Sequence, residues 1–333
     1  MAIRSAGNGS STMAHKPLIV LPERYRSPLE AMLEADLAER VTLRGFSTFE
    51  EAMALAPEAE IGWFDDFAGG IYSKGPRAAV NARWINTVIV GFDAFPIDEM
   101  RARGQIFTNG AGLIPDVIAD YAVMGALTLA KRLDEVVRAH DRREWLRKPP
   151  GTFEMRDTRA LIIGYGAIGK EIATRLQAFG VEVTGVRRSA DASAFVIGAD
   201  EWRGRLAEFD WIIISAPNTA ETKAMIGPEE LAGMKPGARL INVARGDLVD
   251  QPALIRALES GHLAGAFLDV TTPEPLPSDD PLWRAPNVLI TMHLSGPSQN
   301  SMFERGAARF MRNLQHYLAG EPLEHVADLT RDY

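Results

Sequence analysis

Short, nearly all-apolar runs punctuate residues 16–110, and between them apolar residues recur at helical spacing. The runs are "PLIVLP", "RVTLRGF", "EIGWFDD", "WINTVIVGFD" and "QIFTNGAG". Each reads as a strand of about four to seven residues in a series of β-α units. From about Pro115 to Trp145 the pattern changes: "PDVIADYAVMGALTLAKRLDEVVRAHDRREW" predicts one long helix. Its front half is apolar almost all round, which suggests burial between domains or in a subunit interface, although a helix buried inside its own domain would look the same. Its back half is charged and reads as solvated.

"RKPPGTFEMRDT" is a crossing segment with two prolines and a glycine, and beyond it a second series of strands begins. These are "ALIIGYG", "VEVTGV", "DWIIISAP", "RLINVARG", "AGAFLDV" and "NVLITMH". Near-continuous apolar strands fit a parallel sheet covered on both faces. Ser301 to Leu318 reads as one amphipathic helix. The fold class is therefore α/β, with two parallel-sheet units, the second of six strands.

Composition narrows the function. The 333 residues are 46% hydrophobic and 24% charged, with a formal net charge of -8. That balance argues against nucleic-acid binding, which needs clustered Lys and Arg. With no cysteine in the chain, disulfides, thiolate nucleophiles and Cys-ligated metals are excluded, and a reducing cytoplasm is the expected location. No metal is expected. Residues 1–15 read as a disordered leader, because "MAIRSAGNGSSTMA" lacks the apolar core of a signal peptide. No stretch approaches the roughly 20 apolar residues of a membrane span.

"ALIIGYGAIGKEIATRLQAFG" sets Gly164, Gly166 and Gly169 between a buried strand and an amphipathic helix, the context in which GxGxxG binds dinucleotides. Gly164 permits the tight turn, Gly166 lets a pyrophosphate approach the backbone, and Gly169 lets helix pack on strand. The amides of Ala167 and Ile168 then face phosphate at the helix N-terminus. The next strand ends near the adenosine ribose, about 20 residues on; from Gly169 to Arg187 is 18 residues (187 minus 169). An NAD-specific site has a carboxylate here, which would repel a 2'-phosphate. Arg187 and Arg188 reverse that sign, and guanidinium forks match phosphate oxygens; Ser189 adds a hydroxyl. NADP(H) is the expected cofactor, with NAD(H) possible.

Three later segments, "LINVARGDLVD", "LDVTTPEPLP" and "NVLITMHLSGPS", each put a polar residue past an apolar strand, where open α/β sheets bind ligands. Arg245, Glu274 and His293 are these residues. Together with the glycine loop and "VGFDAFPID", they closely resemble the D-isomer-specific 2-hydroxyacid dehydrogenases, from about Lys16 to the C-terminus. The resemblance implies two Rossmann-like domains, the dinucleotide-binding domain (residues 115–298) inserted into a flavodoxin-like catalytic domain (16–114 and 299–333), with the active site in the cleft. It also implies that Val90 and Gly91 offer amides to the substrate carboxylate and that Asp269 holds the nicotinamide carboxamide. Ala216, Pro217, Thr222 and Val243 would line the cofactor groove, and Ser295 would lie near the nicotinamide.

The chemistry of the three polar residues is self-consistent. A 2-oxo acid offers a carboxylate and a ketone, and hydride attack puts negative charge on the ketone oxygen. Arg245 can clamp the carboxylate with two parallel hydrogen bonds and polarise the ketone. His293, whose ordinary pKa is near neutrality, can donate the proton. Glu274 would orient His293 and favour its charged form. His140, His262, His316 and His325 read as structural, on helices or at helix ends, and a buried strand sets His293 apart. Two departures from the family pattern are Met292, where proline is common, and Asp120, where glutamate is usual. The expected activity is NADP(H)-preferring reduction of small 2-oxo acids, glyoxylate and hydroxypyruvate foremost, by a homodimer. The alternative is a dinucleotide-sensing regulator on the same fold.

Overall fold

The computed structural model describes residues 15–91, 95–188, 195–299 and 301–330. Ser189 and residues 1–14 lie outside the described residues. The chain forms two compact units: one runs to Ala111 and resumes at Phe303, and the other runs from Gly112 to Met302.

In the first unit β1 (Leu18–Pro22), β2 (Thr42–Phe46), β3 (Ile61–Trp63), β4 (Trp84–Asn86) and β5 (Ile106–Thr108) form one sheet in the order β2-β1-β3-β4-β5. Every pairing is parallel, and the order is that of flavodoxin-like folds. The apolar run after Asn86 looks like more strand, but β4 leaves the ladder there and residues 87–91 continue as a loop. The helix Ser301–Ala319 returns to this unit through Phe310, whose ring centroid lies 5.0 Å from those of both Trp63 and Trp84. All three rings are fully buried. The two indole N–H groups are satisfied by Asp65 (2.6 Å) and Thr108 (2.8 Å), so the aromatic core carries no unmet donor.

The second unit holds β6 (Arg159–Ile163), β7 (Glu182–Arg187), β8 (Val196–Gly198), β9 (Trp211–Ile214), β10 (Arg239–Asn242), β11 (Gly265–Leu268) and β12 (Val288–Ile290). Their order is β12-β11-β10-β9-β6-β7-β8, all parallel. Among the described residues the expected six strands are seven, because β8 is a three-residue edge strand with too little sequence to carry a period. The chain winds outward in both directions from β6 and β9, and at such a switch point ligands bind beyond the C-terminal strand ends. Leu161, Ile163, Ile212, Ile214 and Leu240 belong to the buried core on one side of this sheet.

The predicted long helix is two helices, Pro115–Lys131 and Leu133–Asp141. They are separated at Arg132, which adopts φ 51° and ψ 47°. Gly151 lies against this break so closely that a Cβ on it would stand 2.5 Å from the Lys131 carbonyl carbon. The Arg132 guanidinium pairs with Asp134 (3.1 Å) and Glu135 (3.0 Å), the acidic first turn of the second helix, where negative charge is favoured. The first helix buries Ile118, Ala122, Ala126 and Leu129 in its own unit, and Gly125 gives the Phe267 ring its place. Asp120 lies on its exposed side and accepts from Arg175 at 2.6 Å. Among the described residues no helix is long and apolar enough to cross a membrane.

Candidate active site

The three glycines after β6 have three different local requirements. Gly164 has φ +100°, and a Cβ there would lie 2.4 Å from the Ala216 amide nitrogen, so the loops after β6 and β9 meet at backbone contact. Gly169 sits on the first turn of the helix Ala167–Ala178, where a Cβ would strike the Gly164 carbonyl oxygen at 2.5 Å. At Gly166 a Cβ would meet nothing within 4 Å. That helix has no side-chain cap and no acidic residue in its first turn. Its positive end, with the amides of Ala167 and Ile168, therefore presents open space suited to an anion. These residues fit the pyrophosphate of a dinucleotide.

Other cofactor residues read from the sequence, among which Ser215 was not, lie at and beyond the ends of β7, β9 and β10. Ser215, at the end of β9, donates its hydroxyl to the Gly164 carbonyl at 2.9 Å. Ala216 is buried, and Thr222 closes the next turn by donating to the Pro217 carbonyl at 2.7 Å. Val243 is buried just past β10. Arg187 ends β7 and Arg188 follows it, both exposed.

Arg245 stands beyond β10 on a turn shaped by Asn242. The buried Asn242 side chain accepts from the Ala244 amide (3.0 Å) and donates to the Arg245 carbonyl (2.8 Å). Glu274 lies in the loop after β11, where the Thr271 amide donates to Oε1 at 3.1 Å. Its Oε2 is 2.7 Å from His293 Nδ1. An ionised carboxylate only accepts, so Nδ1 is the donor and Nε2 is left to exchange a proton. Burial opposes ionisation of Glu274, but the His293 and Thr271 hydrogen bonds and the charges of His293 and Arg245 outweigh it, holding its carboxyl below the ordinary range. The Glu274 hydrogen bond raises the His293 pKa, against burial and the Arg245 charge and with help from Asp269. The two partners reinforce each other's charge.

The strand before His293 is not a buried one. β12 is a half-buried edge strand, and the histidine's position is set by the loop after it. Met292 and His293 both take left-handed backbone, φ 53° and 58°, which costs roughly 1–2 kcal/mol per non-glycine residue. A proline, with φ fixed near -65°, could not take the place of Met292 in this conformation. Asp269, 1% exposed, offsets the cost. Its Oδ1 accepts from the Thr291 hydroxyl (2.8 Å) and the Leu294 amide (2.9 Å), its Oδ2 from the Ser295 amide (3.2 Å), and its carbonyl from the His293 amide. Ser295 is buried beside it. Asn242 and this loop-shaping part of Asp269 were missed in the sequence; the only signal was a polar residue closing an apolar strand.

Val90 and Gly91 lie in the other unit, in the loop after β4. The remaining histidines are elsewhere: His15 paired with Glu60, His140 and His316 on helices, His262 beyond the helix Gln251–Glu259, and His325 in a turn rather than at a helix end.

The family model for the D-isomer specific 2-hydroxyacid dehydrogenase NAD binding domain matches residues 123–295. The chain is 31% identical over 321 residues to a glyoxylate/hydroxypyruvate reductase B of Pectobacterium carotovorum subsp. carotovorum (strain PC1), a match spanning 94% of this chain and 98% of that protein. A crystal structure of a D-isomer specific 2-hydroxyacid dehydrogenase family protein from Aeromonas salmonicida subsp. salmonicida A449 superposes with TM-score 0.83 at 29% identity, covering 95% of this chain and all (100%) of that one. The family member from Xanthobacter autotrophicus Py2, solved with NADPH and MES, gives TM-score 0.76 at 25% identity over 96% of this chain and 100% of its own. With this fold, glycine loop and set of strand-end residues, the chain belongs to the D-isomer-specific 2-hydroxyacid dehydrogenase family.

Proposed function

We propose that the protein reduces small 2-oxo acids to D-2-hydroxy acids, and the reverse, with NADP(H) as preferred cofactor and glyoxylate and hydroxypyruvate as leading substrates. The observation that carries this reading is the 2.7 Å pair of His293 and Glu274, with Arg245 near enough to bias the charge of both. When bound, the dinucleotide supplies the hydride. Gly164, Gly166, Gly169 and the amides of Ala167 and Ile168 hold its pyrophosphate. Ala216, Pro217, Thr222 and Val243 line its groove, and Asp269, with acceptor capacity left on Oδ2, takes the carboxamide near Ser295. Arg245 and the amides of Val90 and Gly91 bind the substrate carboxylate. His293 gives its Nε2 proton to the ketone oxygen, and Glu274 keeps the imidazolium charged and oriented.

The test is steady-state reduction of glyoxylate, hydroxypyruvate, pyruvate and bulkier 2-oxo acids with NADPH and with NADH. Turnover on the smaller acids, favouring NADPH, is the expected result. Dinucleotide binding without turnover on any of them would overturn the reading in favour of a sensor.

The cofactor preference rests on Arg187 and Arg188 at the exposed end of β7, although the matched family model is described as NAD binding. A charge-assisted hydrogen bond to phosphate contributes about 1.5–3 kcal/mol. Arg187→Asp is therefore expected to raise the KM for NADPH about 10–100-fold and to favour NADH. NADPH preference persisting through Arg187→Asp combined with Arg188→Ala would remove these arginines from the account.

The protein is also proposed to be a homodimer. Leu133, Val136 and Val137 form an i, i+3, i+4 apolar stripe that is exposed on its helix, and Trp145 beyond it is 94% exposed. Exposed apolar surface of this kind marks an interaction site. Light scattering is expected to give twice the chain mass, and a monomer at working concentration would refute the assignment.

A further inference from the structure

Asp65 is a buried carboxylate for which the reaction has no chemical use. It follows β3, is 5% exposed, and accepts three hydrogen bonds: from the Trp63 indole (2.6 Å), the Thr87 hydroxyl (2.5 Å) and the Val88 amide (2.7 Å). Thr87 Oγ1 in turn accepts from the Ile89 amide at 3.0 Å. These are the backbone groups that lose their ladder partners when β4 ends at Asn86. The lone pairs of the two Asp65 carboxyl oxygens meet three converging donors, although burial, opposed by those bonds and by the Arg24 charge, pushes its pKa up.

The opposite side of the loop is fixed by the segment after β5. The Thr87 amide donates to the Thr108 carbonyl (2.9 Å), and the Gly110 amide donates to the Ile89 carbonyl (2.8 Å). The Asn109 side chain donates to the Val90 carbonyl at 2.9 Å. Gly110 presses so close that a Cβ on it would fall 1.8 Å from the Val88 oxygen. The buried Arg309 guanidinium holds this segment through the carbonyls of Asn109 (3.1 Å) and Ala111 (2.9 Å). The N–H groups of residues 87, 88 and 89 are thus all bound, and so are the carbonyls of 89 and 90. The N–H groups of Val90 and Gly91 have no protein partner among the described residues.

We propose that Asp65 is the positioning residue for the Val90 and Gly91 amides, and so controls binding of the substrate carboxylate without taking part in proton or hydride transfer. This rests on the reading above that those two amides bind the carboxylate. Charge cannot be its purpose, because a buried anion behind an anion site weakens that site. The Arg24 guanidinium, which donates to the Asp65 carbonyl and pairs with Asp66, offsets part of that field. Positioning and charge therefore predict opposite signs for Asp65→Asn. Loss of charge alone lowers the KM for an anionic substrate, whereas loss of position raises it.

The experiment compares Asp65→Asn, Thr87→Val and Thr87→Ser with the unmodified enzyme. Glyoxylate is the substrate, and amide exchange of Ile89–Gly91 is followed with and without oxamate. Expected is a KM for glyoxylate raised about tenfold or more in Asp65→Asn and Thr87→Val, with kcat and the KM for NADPH changed less than about threefold. Thr87→Ser, which keeps the hydroxyl, should stay near the unmodified enzyme. Exchange of the Val90 and Gly91 amides should quicken in the first two variants. If Asp65→Asn fails to fold, Thr87→Val decides the matter alone. A KM that is unchanged or lower overturns the proposal, and so does a fall in kcat and cofactor affinity in step with thermal stability. Oxamate that leaves Val90 and Gly91 unprotected in the unmodified enzyme instead refutes the carboxylate assignment, and the claim on substrate binding goes with it.

Discussion

Replacing His293 with glutamine is expected to lower kcat for 2-oxo acid reduction about 10²–10⁴-fold, the usual contribution of a positioned general acid. Glutamine keeps volume and a hydrogen-bonding head toward Glu274 but has no titratable proton, so cofactor binding should be preserved. The pH profile carries the sign. The His293 pKa is raised, chiefly by Glu274. With His293 as the proposed proton donor, reduction needs the imidazolium, so it should be fastest below that raised value and fall about tenfold per pH unit above it. Oxidation needs the neutral ring and follows the mirror profile. Glu274→Gln removes the main cause of the raised pKa and should move the alkaline limb of reduction to lower pH. Profiles of kcat/KM for the unmodified enzyme, His293→Gln and Glu274→Gln check both statements. A His293→Gln enzyme within about threefold of normal turnover would take proton transfer away from this residue.

The parts of this site that could be read from sequence are those where a backbone demand selects a residue type. Gly164 and Gly169 have no room for a Cβ, and such positions leave glycine in the chain. Arg245, Glu274 and His293 could be picked out because they are the polar residues following apolar runs. What holds them in place was much less visible. Asp269 and Asp65 act on donors that lie 22 to 26 residues away along the chain as well as on nearer ones, and no local period records such pairings. The left-handed pair Met292–His293 contains no glycine to announce it; Asp269, just past β11, bonds to the residues on either side of it. The break at Arg132 has the same character, since the strongly helical pattern runs through it and what lies against it is the crossing backbone at Gly151. β8 was missed for want of length. The periods of the strong elements were enough to give two parallel α/β sheets, and the tertiary polar bonds that aim the side chains were not.

Arg245→Ala is expected to reduce kcat/KM for 2-oxo acids about 10²–10³-fold, because truncating one side of a hydrogen-bonded charge pair costs about 2–5 kcal/mol. Asn242 bonds on either side of Arg245's peptide and sets the turn, and one guanidinium N–H meets the Ala244 carbonyl at 2.7 Å. The planar fork is thus pre-oriented, which reduces the entropy lost on meeting a carboxylate. Arg245→Lys keeps the charge and loses the fork, so it should recover only part of the rate. Because Arg245 also opposes protonation of His293 and favours ionisation of Glu274, its removal has a second signature. The His293 pKa rises further, and the alkaline limb of reduction moves to higher pH, opposite in direction to the Glu274→Gln shift. Two variants of one site that move one limb in opposite directions are hard to explain by general damage to the fold. If Arg245→Ala instead left kcat/KM within about threefold of normal, or moved the limb the same way as Glu274→Gln, Arg245 would not be the group that meets the carboxylate beside His293.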